Sequence, residues 1–334
     1  MPMITELIDS IPEASEISHL QHDENLFLQS SDPNDCPMSK DSAPLAAIHS
    51  RQDFVTMKFG PPRDIYGGNS LRLEWQQMDN RQPFYHRNGD AYEISYQVSG
   101  ERTLITGLGS IKLHPGEFCL IPPSVTHDNY GRREVHILFY IFGPVEESGK
   151  ITGIAELKPT PFDGWSPQMV TEMYNTGLGE TGCDFTTSTL DEVLLTNGRL
   201  NNHPQSHLLL TARQPLGLNS EPEWVYKSPS VWIGGWRLEH SPGHVYYRHS
   251  LADAIQCQIR GKRLVVSQRG MILMEPGDFI SIPRGCAYTS IISDESFHIQ
   301  ILTTNAVIEK AELSKTASEI SLQFIQAARE KVSG

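Results

Sequence analysis

The chain reads as short β-prone runs punctuated by glycine and proline. Segments such as YEISYQVSG (92–100), RTLITG (102–107), GSIKLHPGEFCLIPP (109–123) and EVHILFYIFG (134–143) are rich in β-branched and aromatic residues. That composition suits a pleated, half-buried surface. Turn signals separate the runs at the spacing of an all-β barrel or sandwich. Pro115-Gly116 and Pro276-Gly277 are turn dipeptides just ahead of EFCLIP and DFISIP, and Gly109 and Gly270 stand where hairpin turns fall. Two helices are expected. One is short and lies near Ser188–Leu195. The other spans 317–331, with a capping box at Thr316-Ala-Ser-Glu319 and an apolar stripe of Ile320, Phe324 and Ala327/Ala328.

Both halves of the chain carry this pattern. Shifting the sequence by 161 positions places Tyr85 on Tyr246, Arg87 on Arg248, Ala91 on Ala252, Ile94 on Ile255, Gln97 on Gln258 and Gly100 on Gly261. In the same ungapped register Arg102 falls on Arg263, Gly109 on Gly270 and Ile111 on Ile272. Pro115, Gly116, Phe118, Ile121 and Pro122 fall on Pro276, Gly277, Phe279, Ile282 and Pro283, and upstream Trp75 falls on Trp236. So many identities in one register mark an internal duplication. A length of 334 residues accommodates it. The expected organisation is an extension over 1–50, a first β domain over 51–150, a connecting segment over 151–205, a second β domain over 206–306 and a helical tail over 307–334.

Charge and composition exclude several classes. A net charge of -13 argues against nucleic acid, which needs a concentrated basic surface. No run approaches the roughly 18 apolar residues that a membrane span requires. The opening MPMITELIDSIPEASE is acidic and lacks a long apolar core, so no signal peptide is expected. Five cysteines are dispersed without a C-x-x-C pair, which fits reduced thiols in the cytoplasm. Residues 1–50 hold nine acids against Lys40, a balance of -8 that leaves -5 for the rest. With the Ser-, Asp- and Pro-rich stretch 29–44, this reads as an arm that is disordered or draped over the core.

The chemistry gathers in the first repeat. His86-Arg-Asn88, then Glu93 and Gly100, are followed by Gly116, Pro122 and His127. Spacing and residue types resemble the two metal-binding motifs of the cupin superfamily, with Asn88 where a second histidine is usual and Ser124 where a glycine is usual. The resemblance implies an all-β bicupin, two double-stranded β-helix (jelly-roll) barrels, with His86, Glu93 and His127 as ligands. Alternate strand residues share a face, so His86 and Asn88 can both point into a barrel, and Glu93 and His127 can converge on them from neighbouring strands. Two imidazoles and a carboxylate leave positions open on a divalent ion, which suits non-haem Fe(II) and O₂ chemistry; Mn, Ni and Zn are alternatives. Asn88 either adds a weak neutral oxygen ligand or hydrogen-bonds a bound water or substrate.

In the second repeat the same positions carry Tyr247, His249, Ala254 and Tyr288, so its metal site is lost while the scaffold glycines and prolines remain. That barrel is expected to support the first, form a subunit interface, or hold an organic ligand.

Gln82-Pro-Phe-Tyr-His-Arg-Asn88 resembles a segment of the homogentisate 1,2-dioxygenases. The His-x-Asn, Glu, His order is also similar to the large subunit of two-component hydroquinone dioxygenases. These resemblances imply a mononuclear iron dioxygenase that cleaves a C–C bond of an aromatic diol, hydroxy acid or enolic substrate. They also imply O₂ as co-substrate, a homo-oligomer and a possible small partner subunit. Tyr96 and His136 are candidate proton-moving groups, and Gln97, Asn129, Arg72 and Arg87 are candidate substrate contacts. The same ligands also serve metal-dependent isomerases, epimerases and decarboxylases, where the ion acts as a Lewis acid. A binding protein without turnover is the third reading.

Overall fold

The computed structural model describes residues 3–8, 17–29, 43–57, 60–158, 160–176, 185–194, 210–215 and 221–333. These form two compact units, one from residues 52–214 with 308–310, the other from 1–51, 215–307 and 311–334. The strands at the N-terminus are β1 (Met3–Ile8), β2 (Ser18–Asp23) and β3 (Ala46–His49). The first repeat then supplies β4 (Arg63–Gly68), β5 (Leu71–Met78), β6 (Tyr85–Asn88), β7 (Tyr92–Thr106), β8 (Gly109–Leu113), β9 (Phe118–Ile121) and β10 (His127–Ile141). Between the repeats lie β11 (Glu146–Glu147), β12 (Lys150–Ile154), β13 (Met169–Asn175), β14 (Phe185–Asp191) and β15 (Thr211–Gln214). The second repeat supplies β16 (Glu223–Lys227), β17 (Val231–Leu238), β18 (Val245–Arg248), β19 (Asp253–Arg260) and β20 (Arg263–Ser267). It continues with β21 (Gly270–Met274), β22 (Asp278–Ile282), β23 (Tyr288–Ile291) and β24 (Ser296–Thr303), before β25 (Val307–Glu309) and β26 (Lys315–Thr316).

In the first unit one layer runs β5, the second half of β10, the first half of β7, then β9. The facing layer runs β6, the first half of β10, the second half of β7, then β8. The second unit repeats this order as β17-β24-β19-β22 over β18-β23-β20-β21. Both are jelly rolls, so the chain holds two copies of one barrel architecture.

In the first unit β7 and β10, each 15 residues long, serve both layers by bending between them. Gly100 makes the bend in β7 with φ at 68°, and a Cβ there would lie 2.2 Å from the Arg133 carbonyl oxygen. Opposite it, β10 breaks register between Arg132 and Val135. The turn before β10 uses Ser124 at φ 65°, where the second repeat has Gly285 at φ 79°. Their amides make matching bonds, Ser124 N to the Asn88 carbonyl at 2.6 Å and Gly285 N to the His249 carbonyl at 2.7 Å.

The structure corrects three expectations. Trp75 and Trp236 are not equivalent: Trp236 pairs across the sheet with His298, whereas Gln76, not Trp75, pairs with His136. Both histidines sit opposite equivalent glutamines, Gln97 and Gln258, so the ungapped alignment is one residue off in β5 and β17 and turns each tryptophan to a different face.

The described stretches of residues 1–50 drape over the second unit as added strands. β1 adds in parallel to β18, β2 pairs with β1, and β3 pairs with β22. Two of the acids anchor them: Glu6 accepts from Arg248 at 2.6 Å, and Glu24 takes both Arg329 guanidinium nitrogens at 2.5 and 2.7 Å.

The segment around Ser188 is strand β14, a Thr-rich run paired along its length with β13. Helical turn begins only at Glu192, and Leu195 lies outside the described residues. The final helix spans Leu322–Ser333. Ala317 and Ser318 are taken up by backbone bonds to Leu45 and Met271, so Ser321 caps the helix instead, accepting from Phe324 N. Its buried stripe is Ile325, with Ala328 and Val332 against it, while Phe324 is exposed.

The left-handed position at 124 yields a stability test. Relieving the Cβ strain outweighs the entropy that glycine adds to the unfolded chain, so Ser124→Gly should gain about 0.5 kcal/mol. Gly100→Ala, which adds a backbone clash to the strain, should lose about 2 kcal/mol or more. Urea midpoints of the two variants are expected to move in opposite directions.

Candidate metal centre

Alternation along β6 turns His86 and Asn88 to one face and Tyr85 and Arg87 to the other. The register sets His127, the first residue of β10, directly opposite His86, with ring centroids 5.3 Å apart. Glu93 reaches them from the start of β7: its Oε2 lies 3.7 Å from His86 Nδ1 and 3.3 Å from His127 Nε2. The three ligand atoms lie within 4.8 Å of one another. Ligands at about 2.0–2.2 Å from a shared ion have this spread.

The remaining hydrogen bonds orient the rings. His86 Nε2 meets Asn175 Oδ1 at 2.5 Å, and His127 Nδ1 meets the Val125 carbonyl at 3.2 Å. Both partners are acceptors, so these nitrogens carry the N–H, and the lone pairs of His86 Nδ1 and His127 Nε2 face the carboxylate. Asn88 Nδ2 donates to Glu93 Oε2 at 2.8 Å, while Asn88 Oδ1 is buried without a hydrogen-bond partner. A buried orphan acceptor is costly, and a cation held by the triad would satisfy it. The residues present fit a divalent metal. The His86 side chain, 21% exposed against 3% for Glu93, marks the open side.

Electrostatics support the same arrangement. Burial by itself favours the neutral acid at Glu93, but His127 and His86 override it and hold the carboxyl at about 2. Burial, with repulsion from His127, lowers His86. His127 is raised, because the charge and hydrogen bond of Glu93 outweigh burial.

The other expected site residues divide. Arg72 and Asn129 are brought to the inner face. Arg72 lies across β10 from Glu93, with Tyr140 between them, and is neutralised by Asp64 and Glu74. Asn129 is buried two residues from His127 and donates to Gln82 at 3.3 Å. Gln97 and His136 also face inward, but four residues along β7 from Glu93, about 13 Å at strand rise. There they form a separate buried layer with Arg102 and Glu134. Tyr96 alternates to the opposite face and packs on Phe118 at 4.6 Å. Arg87 also faces away, donating to Glu172 at 2.8 Å.

Three residues near the site carry no local sequence signal. Asn175 comes from β13, which runs parallel to β6. Tyr140 stands directly opposite Glu93. Glu74 lies beside them; burial pushes its carboxyl up to about 7, although Arg72 opposes the shift. Tyr140, raised well above the usual phenol value chiefly by burial and then by Glu93, hydrogen-bonds Glu74.

In the second barrel Tyr247 and Tyr288 occupy the paired positions, with rings 6.1 Å apart, and His249 Nε2 lies 3.3 Å from Tyr288 Oη. Ala254 takes the place of the glutamate.

Metal analysis should find about one ion per chain, lost from Glu93→Ala and His127→Ala but kept by His249→Ala. Asn175→Ala leaves all three ligands and should weaken affinity about 10–100-fold through the loosened His86 ring. Binding needs neutral imidazoles, and the raised His127 takes up a proton first. Metal content should therefore fall as pH drops from just above the ordinary imidazole value of about 6.5, as read by dialysis against buffered metal.

No protein-family model and no curated protein matches the sequence. Similar solved structures include a cupin 2 conserved barrel domain protein from Leptotrichia buccalis, at 7% identity and TM-score 0.46, covering 75% of this chain and 92% of that one. A single-residue variant of B. subtilis oxalate decarboxylase is similar at 12% identity and TM-score 0.45, covering 90% and 89%. Likeness this remote says nothing of substrate or reaction.

Proposed function

We propose that the first barrel holds a single Fe(II) and that the protein is a dioxygenase. Its substrate would be a small aromatic diol, hydroxy acid or enolic compound, cleaved at a C–C bond. The observation that carries this reading is the buried Glu93 carboxylate with two imidazole lone pairs turned toward it, an arrangement that leaves part of an ion's coordination open. The resemblance of residues 82–88 to the homogentisate dioxygenases points the same way. When bound, the ion supplies a redox-active Lewis acid with open positions. His86, Glu93 and His127 hold it, and the Asn88 amide steadies the carboxylate. Arg72, its charge balanced by Asp64 and Glu74, lies over the Tyr140 ring at 5.8 Å and holds it across from Glu93. The buried walls exclude water from the reacting groups. Buried free thiols at Cys119, Cys257 and Cys286 suit a reducing, cytoplasmic setting.

A second reading rests on Glu74. A carboxyl held at about 7 and hydrogen-bonded to Tyr140 can both give and take a proton beside the substrate. That favours Lewis-acid chemistry of the isomerase or decarboxylase kind.

Fe(II)-loaded protein offered a panel of aromatic diols and hydroxy acids should consume O₂ in step with product, and lose this on His86→Ala. Turnover of the same panel under argon, without O₂ uptake, would replace the first reading by the second. Glu74→Gln should keep its metal; under the second reading it loses about 10²–10⁴-fold in kcat.

A further inference from the structure

We infer that the C-terminal barrel binds a small aromatic carboxylate. Both barrels carry a buried layer of glutamine, arginine and histidine: Gln97, Arg102 and His136 in the first, Gln258, Arg263 and His298 in the second. In the first, fully buried Glu134 lies 3.7 Å from Arg102 Nε and balances its charge. In the second, Ser296 stands where Glu134 would be, paired with Leu238 as Glu134 is paired with Met78. The serine hydroxyl accepts from Gln258 at 2.9 Å but carries no charge.

Arg263 is consequently a buried cation without a carboxylate partner among the described residues. Its bonds go to neutral oxygens, Gln258 Oε1 at 2.6 Å and Ser290 Oγ at 2.9 Å, and its Nη2 is buried without a hydrogen-bond partner. Asp278, which acts on it only through space, is itself held by Lys315 and His49. Burial presses the guanidinium down to about 9. An uncompensated buried charge is expensive, and a bound anion removes the cost.

The emptied barrel has room for one. A partly open cavity of about 300 Å³ is lined by Trp236, Tyr247, Tyr288 and Ser290, with Glu239 and His244 among its polar lining. Ser290 both lines it and holds Arg263, which joins the apolar space to the cation. Trp236 and Tyr247 meet edge to face at 4.9 Å and form an aromatic corner of the cavity. Trp236 Nε1 and both ring nitrogens of His298 are buried without hydrogen-bond partners. Aromatic walls, one unpaired cation and spare N–H groups are the recognition set for a planar acid. The volume suits a single-ring molecule.

The test uses the full chain after metal removal, titrated calorimetrically with benzoate and with uncharged benzamide. Benzoate should saturate one site, and benzamide should bind about 10–100-fold more weakly for want of the charge-assisted bond. Arg263→Gln should weaken benzoate by a similar factor. If that variant does not fold, Ser290→Leu decides, since it fills the cavity and takes one hydrogen bond from Arg263 without removing the charge; it should abolish binding. His86→Ala should bind benzoate like the unaltered chain. Equal affinity for benzamide, loss of binding in His86→Ala, unchanged binding in Ser290→Leu, or no saturable heat up to about 10 mM would overturn the assignment.

Discussion

The bend shared by β7 and β10 is the constraint on which the first barrel depends. Each strand begins in one layer and ends in the other, so the two ends of each are folded back toward one another across the interior. Glu93 near the start of β7 and His127 at the start of β10 belong to different layers, yet their side chains come within 3.3 Å. That approach needs a residue able to turn sharply at position 100, and the backbone of Arg133 lies too close there for any Cβ. Remove the turn and the layers splay, and the ligands separate with them. The register break in β10 lies opposite that turn, and beyond it the pairing resumes with Tyr140 opposite Glu93.

Charge is organised around one buried carboxylate. Glu93 is desolvated, which by itself favours protonation, but two imidazoles and the Asn88 amide keep it ionised. Outward hydrogen bonds from His86 and His127 turn their free lone pairs onto the same point. The geometry is thus fixed from behind by Asn175 and the Val125 carbonyl before any ion arrives. Access lies on the side of His86, the least buried member of the group.

The second barrel keeps this scaffold with different contents. Its strand order, its left-handed turn positions and its Gln-Arg-His layer are those of the first. What changed are the side chains that point inward: a carboxylate became Ala254, two imidazole positions became Tyr247 and Tyr288, and a neutralising glutamate became Ser296. The first two changes remove the means of holding a metal. The last leaves a positive charge with no internal answer.

How much of this was legible depends on distance along the chain. The β class, the duplication, the turns and the triad His86, Glu93 and His127 rest on local spacing, because alternation and turn chemistry act over a few residues and a motif records them directly. The emptied second site was legible for the same reason. Tyr96 and Arg87 lay within reach of the same rule and were misplaced, since alternation already assigns them to the face away from Glu93 and His86. Other features depend on which strand lies beside which, and at what register. Asn175 joins His86 across 89 positions, and Glu6 meets Arg248 across 242. One more residue between Trp236 and Tyr246 than between Gln76 and Tyr85 exchanged Trp75 for Gln76 as the counterpart of Trp236. Sequence spacing determined the triad; only the tertiary pairing decided its neighbours, because a one-residue shift in register reverses the face of every side chain that follows it.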